Sequence, residues 1–257
     1  MPLRALTREI SPAILRCELT HLERQPIDLV RARDEHAQYE AVLRALGCEV
    51  ERLPAGPDQP DSVFIEDTAV VLDELAVITR PGALSRRAET GAVAEALRRY
   101  RPVRSIGAPA TLDGGDVLRA GRALYVGVGQ RTSAAGAGAL RDLCAPFGYD
   151  VRLVEYRDCL HLKTAATLVA GDLVLVNPAW VDTAQFAPLR TLDVHPDEPF
   201  AANALRIADA VILSDEHERT RGRLEAAGIA VIPVPARELA KAEGGVTCCS
   251  LIFATIT

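Results

Sequence analysis

An apolar hairpin, a helix and a further strand recur four times along the chain, and this recurrence limits the possible folds more than any other feature. In the first unit, apolar runs at 69–72 and 75–79 flank Asp73-Glu74, a hairpin signal, and a helical pattern over 86–100 and a strand at 103–106 follow. The second unit has runs at 117–119 and 123–128 around Ala120-Gly121, a helix over 132–143 and a strand at 151–154. The third has runs at 165–169 and 173–176 around Gly171-Asp172, a helix over 179–189 and a strand at 192–194. The fourth has runs at 204–207 and 210–213 around Ala208-Asp209, a helix over 215–227 and a strand at 229–234. The turns near Glu74, Gly121, Gly171 and Asp209 stand 47, 50 and 38 residues apart. Periods of that order mark a propeller or an array.

A fifth unit assembles from the two ends. The run 246–256 would pair with 5–9, followed by a helix from residue 27 and a strand at 48–53. Joining the termini in one unit closes the ring and removes open sheet edges. The units therefore predict an α/β propeller of pseudo-five-fold repeats, closed by the N- and C-terminal strands, as a single domain over 1–257. The alternative is an ordinary two-layer α/β fold.

Charge and cysteine usage narrow the function. A net charge of -6 and a pI near 5.5 lack the basic face that a nucleic-acid partner requires. Arg4, Arg8 and Glu9 interrupt the start, so no apolar signal core is present there. No apolar stretch is long enough to span a bilayer, and a cytoplasmic location is the expectation. The six cysteines, Cys17, Cys48, Cys144, Cys159, Cys248 and Cys249, show neither a Cys-x-x-Cys pair nor zinc-ribbon spacing. One conspicuous cysteine with histidine and acid elsewhere in an intracellular chain is the pattern of a thiol nucleophile. Cys248 and Cys249 open the last run. If that run is a strand, adjacent side chains point to opposite faces, so one thiol can pack while the other faces a cleft.

Polar residues fall at matching places in the units. Glu66-Asp67, Asp113 of Leu-Asp-Gly-Gly-Asp and His161 of Leu-His-Leu-Lys each stand just before a first hairpin strand, and Cys248 stands at the start of the last run. Equivalent units would bring them together around one axis. Cysteine supplies a thiolate, histidine moves protons near neutral pH, and an acid holds the histidine in its working orientation. Asp61, Glu66, Asp67, Asp113 and Asp116 make the site negative, which suits a cation, and a planar guanidinium matches carboxylates in a bidentate way. Each residue also has a structural reading. His161, between Leu160 and Leu162, would be a hydrogen-bonded core residue. The Asp-Gly-Gly-Asp run would be only a tight turn, and Glu66-Asp67 would cap a strand end. Arg86-Arg87, Arg131, Asp73 and Glu89 would be surface charges. Asn203 stands at the comparable site of the fourth unit. Gly127-Val128-Gly129 lacks the third glycine of a dinucleotide fingerprint.

Together, Pro60-Asp61-Ser62-Val63-Phe64-Ile65-Glu66-Asp67, Ile78-Thr79-Arg80-Pro81-Gly82, Thr111-Leu112-Asp113-Gly114-Gly115-Asp116-Val117, Leu160-His161-Leu162-Lys163 and Val246-Thr247-Cys248-Cys249-Ser250 resemble the dimethylarginine dimethylaminohydrolase family of the guanidino-modifying superfamily. That superfamily also holds arginine deiminase and the amidinotransferases. The resemblance implies a five-bladed pentein propeller and hydrolysis of Nω-methylated arginine to citrulline and an alkylamine, with no cofactor. It implies Cys248 as nucleophile, His161 as proton donor and later base, and Asp113 as the acid contacting histidine and substrate, where some relatives carry glutamate. Asp67 would grip the guanidinium, with Glu66 a further pocket residue. Arg86 and Arg131 would hold the α-carboxylate. Asp61 and the backbone carbonyls of Leu19 and Ala242 would hold the α-amino group. Zinc at Cys248 would be an inhibitor, dimers are implied, and residues 15–26 are a lid candidate. The rival readings are a sister enzyme acting on free arginine or transferring an amidino group, and a silent arginine-binding protein.

Overall fold

The computed structural model describes residues 2–255. Among these, the strands form five three-stranded sheets. The first blade joins Ala69–Val71, Ala76–Ile78 and Val103–Ser105 in that order, and the second joins Val117–Ala120, Ala123–Val128 and Asp150–Glu155. The third joins Ala166–Leu168, Leu173–Val176 and Arg190–Asp193, and the fourth Leu205–Ile207, Ala210–Ser214 and Ala230–Val234. In every blade the first pair is antiparallel and the second parallel. That follows from a tight hairpin and then a longer crossover.

The fifth blade closes the ring. Leu251–Ala254 pairs antiparallel with Leu3–Arg8, with Leu6 opposite Leu251, and Leu3–Arg8 pairs parallel with Cys48–Leu53. Its crossover helix, Leu29–Ala45, starts on Asp28, whose carboxylate accepts the N–H groups of Val30 and Arg31. Such a cap stabilises a helix by about 1 kcal/mol. Each hydrophobic core is shared by neighbours. Val70 and Val77 pack with Val117 and Leu140, Leu118 and Val154 with Val174 and Phe186, and Leu175 with Val211 and Leu224. Ile207 and Ile212 pack with Ala5 and Leu43, and Leu6 and Phe253 pack with Ile65 and Leu97. The last two clusters carry the ring across the termini. The closed α/β propeller expected from the units is therefore present.

Two expectations need correction. The helix over 179–189 is absent, and only a 3-10 turn, Thr183–Phe186, occupies that place. Pro178 and Pro188 bound the segment, and proline disfavours helical backbone in the residue before it. The run 246–256 is a strand only over Leu251–Ala254, with residue 256 outside the described residues. Residues 246–249 form a turn, in which Cys248 N–H donates to Gly245 O at 3.2 Å. The two cysteines are thus separated by turn geometry, not by strand pleat. No helix among the described residues is long and apolar enough to cross a membrane.

Candidate active site

Every blade delivers the segment before its first strand to the propeller axis. Blade one supplies Glu66 and Asp67 on the 3-10 turn Ile65–Thr68, and blade two supplies Asp113 ahead of Gly114–Asp116. His161 precedes the helical turn Leu162–Ala165 of blade three, Asn203 follows the 3-10 turn Pro199–Ala202 of blade four, and Cys248 lies on the last turn. His161 Nε2 stands 3.0 Å from Asp113 Oδ2, and its Nδ1 stands 3.8 Å from Asp67 Oδ1. Asp113 is fully buried, and its other oxygen accepts Gly82 N–H at 2.9 Å. A Cβ at Gly115 would lie 2.6 Å from Asp67 Oδ1 and 2.7 Å from His161 Nδ1. Only glycine there lets the acid and the imidazole face each other. The Asp-Gly-Gly-Asp run is more than a turn.

His161, Asp67, Cys248, Asp61, Arg131 and Ala242 line one cavity of about 20 Å³. Glu18 lines it as well, whereas Leu19 packs against the hydrophobic core shared by the fourth and fifth blades. Glu18 N–H donates to the Asp61 carboxylate at 3.2 Å. Arg131 Nη2 donates to Thr20 Oγ1 at 3.2 Å. Glu66 is set behind the sulfur. Its carboxylate takes Lys163 Nζ at 2.5 Å and Thr247 Oγ1 at 2.9 Å, and its N–H donates to Cys248 O at 3.1 Å.

Arg86 and Glu89 depart from the surface reading. Arg86 is 4% exposed and Glu89 1%. The Arg86 guanidinium donates to Asp67 Oδ2 at 2.5 Å, to Glu89 Oε2 at 2.9 Å and to the Phe64 carbonyl at 2.9 Å. An arginine charge and two carboxylates leave water only when paired, since an unpaired buried charge costs about 3–5 kcal/mol. The i,i+3 spacing of Arg86 and Glu89 was the available sequence signal. Arg131 is also buried. Asp113 shows its histidine contact, and each of its oxygens takes one hydrogen-bond partner, His161 Nε2 and Gly82 N–H.

The local field sets the protonation states. Burial disfavours charge on His161, but Asp67, the hydrogen bond to Asp113 and the Asp116 carboxylate outweigh it and raise the pKa to about 9. Burial likewise opposes ionisation of Asp67, yet His161, Arg86 and the Gly115 N–H hold its carboxyl at about 2. The Cys248 thiol is pushed up to about 12 by burial and then by Glu66 and Asp67. The resting arrangement is an imidazolium beside a carboxylate and a neutral thiol. A bound cation would reverse the penalty on the thiolate. Asp67, Asp113 and His161 also offer atoms within 4.8 Å of one another, a spacing able to hold a metal ion, although all three already bond to each other, to Arg86 or to backbone.

A closed ring of five α/β blades with cysteine, histidine and carboxylates at its axis defines the pentein class. The arginine deiminase family model matches residues 57–198. An N(G),N(G)-dimethylarginine dimethylaminohydrolase from Streptomyces coelicolor is 39% identical over 96% of both chains. The enzyme of that kind from Pseudomonas aeruginosa, solved as a cysteine-to-serine mutant with citrulline, superposes with a TM-score of 0.93 at 31% identity over 97% of this chain and 98% of its own. A dimethylarginine dimethylaminohydrolase histidine-to-glycine variant, solved as an adduct with S-methyl-L-thiocitrulline, gives 0.93 and 31% over 98% of this chain and all of its own. The chain belongs to the dimethylarginine dimethylaminohydrolase family.

Proposed function

We propose that this chain hydrolyses Nω-methylated L-arginine to L-citrulline and an alkylamine through a covalent intermediate on Cys248. The observation that carries this reading is the 3.0 Å contact of His161 with Asp113 in a carboxylate-lined site that also holds Cys248. The substrate guanidinium docks on Asp67 and Asp113, whose carboxylates have lone pairs beyond those used by Gly115 and Arg86 and by Gly82 and His161. The α-carboxylate goes to Arg131, with Arg86 beside it. The α-amino group goes to Asp61 and the backbone carbonyls of Leu19 and Ala242, beside Glu18. The bound cation favours loss of the thiol proton. The thiolate attacks the guanidinium carbon, and His161 gives its proton to the departing alkylamine as the C–N bond breaks. His161, now neutral, takes a proton from water as that water attacks the thiouronium carbon, and citrulline leaves with Cys248 restored. The test is citrulline release from dimethylarginine and from arginine side by side. Dimethylarginine should be preferred by at least about a hundredfold in kcat/KM, equivalent to about 2.7 kcal/mol. Equal or better turnover of arginine would assign the chain to deiminase chemistry instead.

Residues 15–26 fit a lid in this reading. Thr20, His21 and Leu22 donate their N–H groups to Glu243, at 3.0, 2.5 and 2.7 Å, and Glu243 lines the cavity. Glu243→Ala frees the segment. Hydrogen bonds to a charged group are worth about 1.5–3 kcal/mol, reduced here by exposure, so KM should rise about tenfold with kcat within about threefold. An unchanged KM would mean that the segment does not cover bound substrate. The proposal extends, on the family resemblance, to one catalytic unit over 1–257, working as a cytoplasmic homodimer.

A further inference from the structure

We infer that Asn203, supplied by the fourth blade, is a further functional residue of this reaction, fixing the turn that carries Cys248 and presenting an amide N–H to its sulfur. The inference rests on Cys248 being the nucleophile and adds a part to that site. Blades one, two, three and five each place a chemical group at the axis from the segment before their first strand. Asn203 is the fourth blade's residue at that place.

Its contacts are specific. The side-chain carbonyl accepts Thr247 N–H at 3.0 Å, and the amide nitrogen donates to Thr247 Oγ1 at 3.1 Å. The same nitrogen stands 3.8 Å from Cys248 Sγ. Gly245 N–H points at that sulfur from 3.3 Å. A Cβ on Gly245 would lie 2.4 Å from Asn203 Cγ, so glycine is required for the two donors to approach one sulfur. Asn203 is buried, and both ends of its amide are used. Two charged side chains near the sulfur, Glu66 and Asp67, oppose a thiolate. A neutral N–H donor is the group that can favour the anion without competing with the substrate cation for the carboxylates. Asparagine meets this need. Aspartate would keep the bond to Thr247 N–H while replacing the donor by a third negative charge.

That difference separates an electrostatic role from a packing role. In the full chain, Asn203→Ala and Asn203→Asp are compared by kcat and KM for dimethylarginine and by the rate of iodoacetamide labelling at Cys248, read by mass spectrometry. Labelling does not depend on which guanidino compound is turned over, so it reports on Asn203 even if the substrate assignment fails. We expect kcat to fall about tenfold in Asn203→Ala and about a hundredfold in Asn203→Asp, with KM within about twofold and labelling slowed in the same order. Should Asn203→Ala fold poorly, Asn203→Asp against Asn203→Ser gives the same ordering, because serine keeps a neutral donor. Aspartate equal to or better than the neutral variants in both measurements, or wild-type values throughout, would reduce Asn203 to a packing residue and overturn the inference.

Discussion

Exchange of Cys248 for serine is expected to lower kcat for dimethylarginine by about four to six orders of magnitude, the loss seen when a nucleophile that acts as part of a unit is removed. Ligand binding should stay within about threefold, because Asp61, Asp67 and Arg131 keep their places. The asymmetry follows from acidity. The thiol is already held up at about 12 by burial and by Glu66 and Asp67, and a substrate cation offsets that penalty. A serine hydroxyl starts far higher, and the same cation leaves it protonated. Cys249→Ser is the control. Its sulfur is buried and donates to Gly245 O at 3.6 Å. Serine can keep that bond, so the cost should remain near about 1 kcal/mol of stability, with activity within about fivefold. Citrulline release gives kcat, and calorimetric titration with citrulline gives binding. An active Cys248→Ser protein paired with an inactive Cys249→Ser protein would move the nucleophile to the second sulfur.

Much of this site could be read before the fold was seen, because propeller symmetry converts sequence position into spatial position. Asp67, Asp113, His161 and Cys248 each precede a strand, and the hairpins that follow were visible as paired apolar runs broken by glycine and acidic residues. Closure by the termini was legible for the same reason, since 5–9 and 48–53 lacked a hairpin of their own. What escaped were features decided between blades. The run 246–256 is apolar enough for a strand throughout, but Asn203 captures Thr247 N–H and Gly245 O captures Cys248 N–H, so its first half turns. Asn203 was recognisable by position, whereas its contact with sulfur exists only because blades four and five meet. Glu89 looked like surface charge because polarity alone does not reveal a buried partner. Arg86 supplies that partner and is itself drawn inward by Asp67. The third blade's missing helix had a local cause, two prolines ten residues apart at 178 and 188, and that signal was present in the sequence.

Loss of His161 should divide the reaction according to its leaving group. His161 stays protonated well past neutrality because Asp67, Asp113 and Asp116 together overcome its burial and lift its pKa to about 9. The sign follows directly: a raised pKa keeps the proton donor loaded at neutral pH, and the donor is lost as pH rises through about 9. The rate with dimethylarginine, whose alkylamine cannot leave without a proton, should therefore fall above that pH. In Asp113→Asn the fall should begin at lower pH, since the anionic acceptor at 3.0 Å is gone. His161→Gly removes the donor altogether, and turnover of dimethylarginine should drop about a thousandfold to ten-thousandfold, in the upper part of the range that general acid–base catalysis contributes, because the later base is lost as well. S-methyl-L-thiocitrulline offers a contrasting probe. Its methanethiolate departs without protonation, so thiolate attack and C–S cleavage should survive in the variant. Water activation should not, since no imidazole remains to take its proton. The expected result is a stable mass increase on Cys248 with little citrulline released. Equal loss with both substrates and an unmodified Cys248 would show that the imidazole shapes the pocket without moving the proton, and the assignment of acid and base would then have to be sought among Asp67 and Glu66.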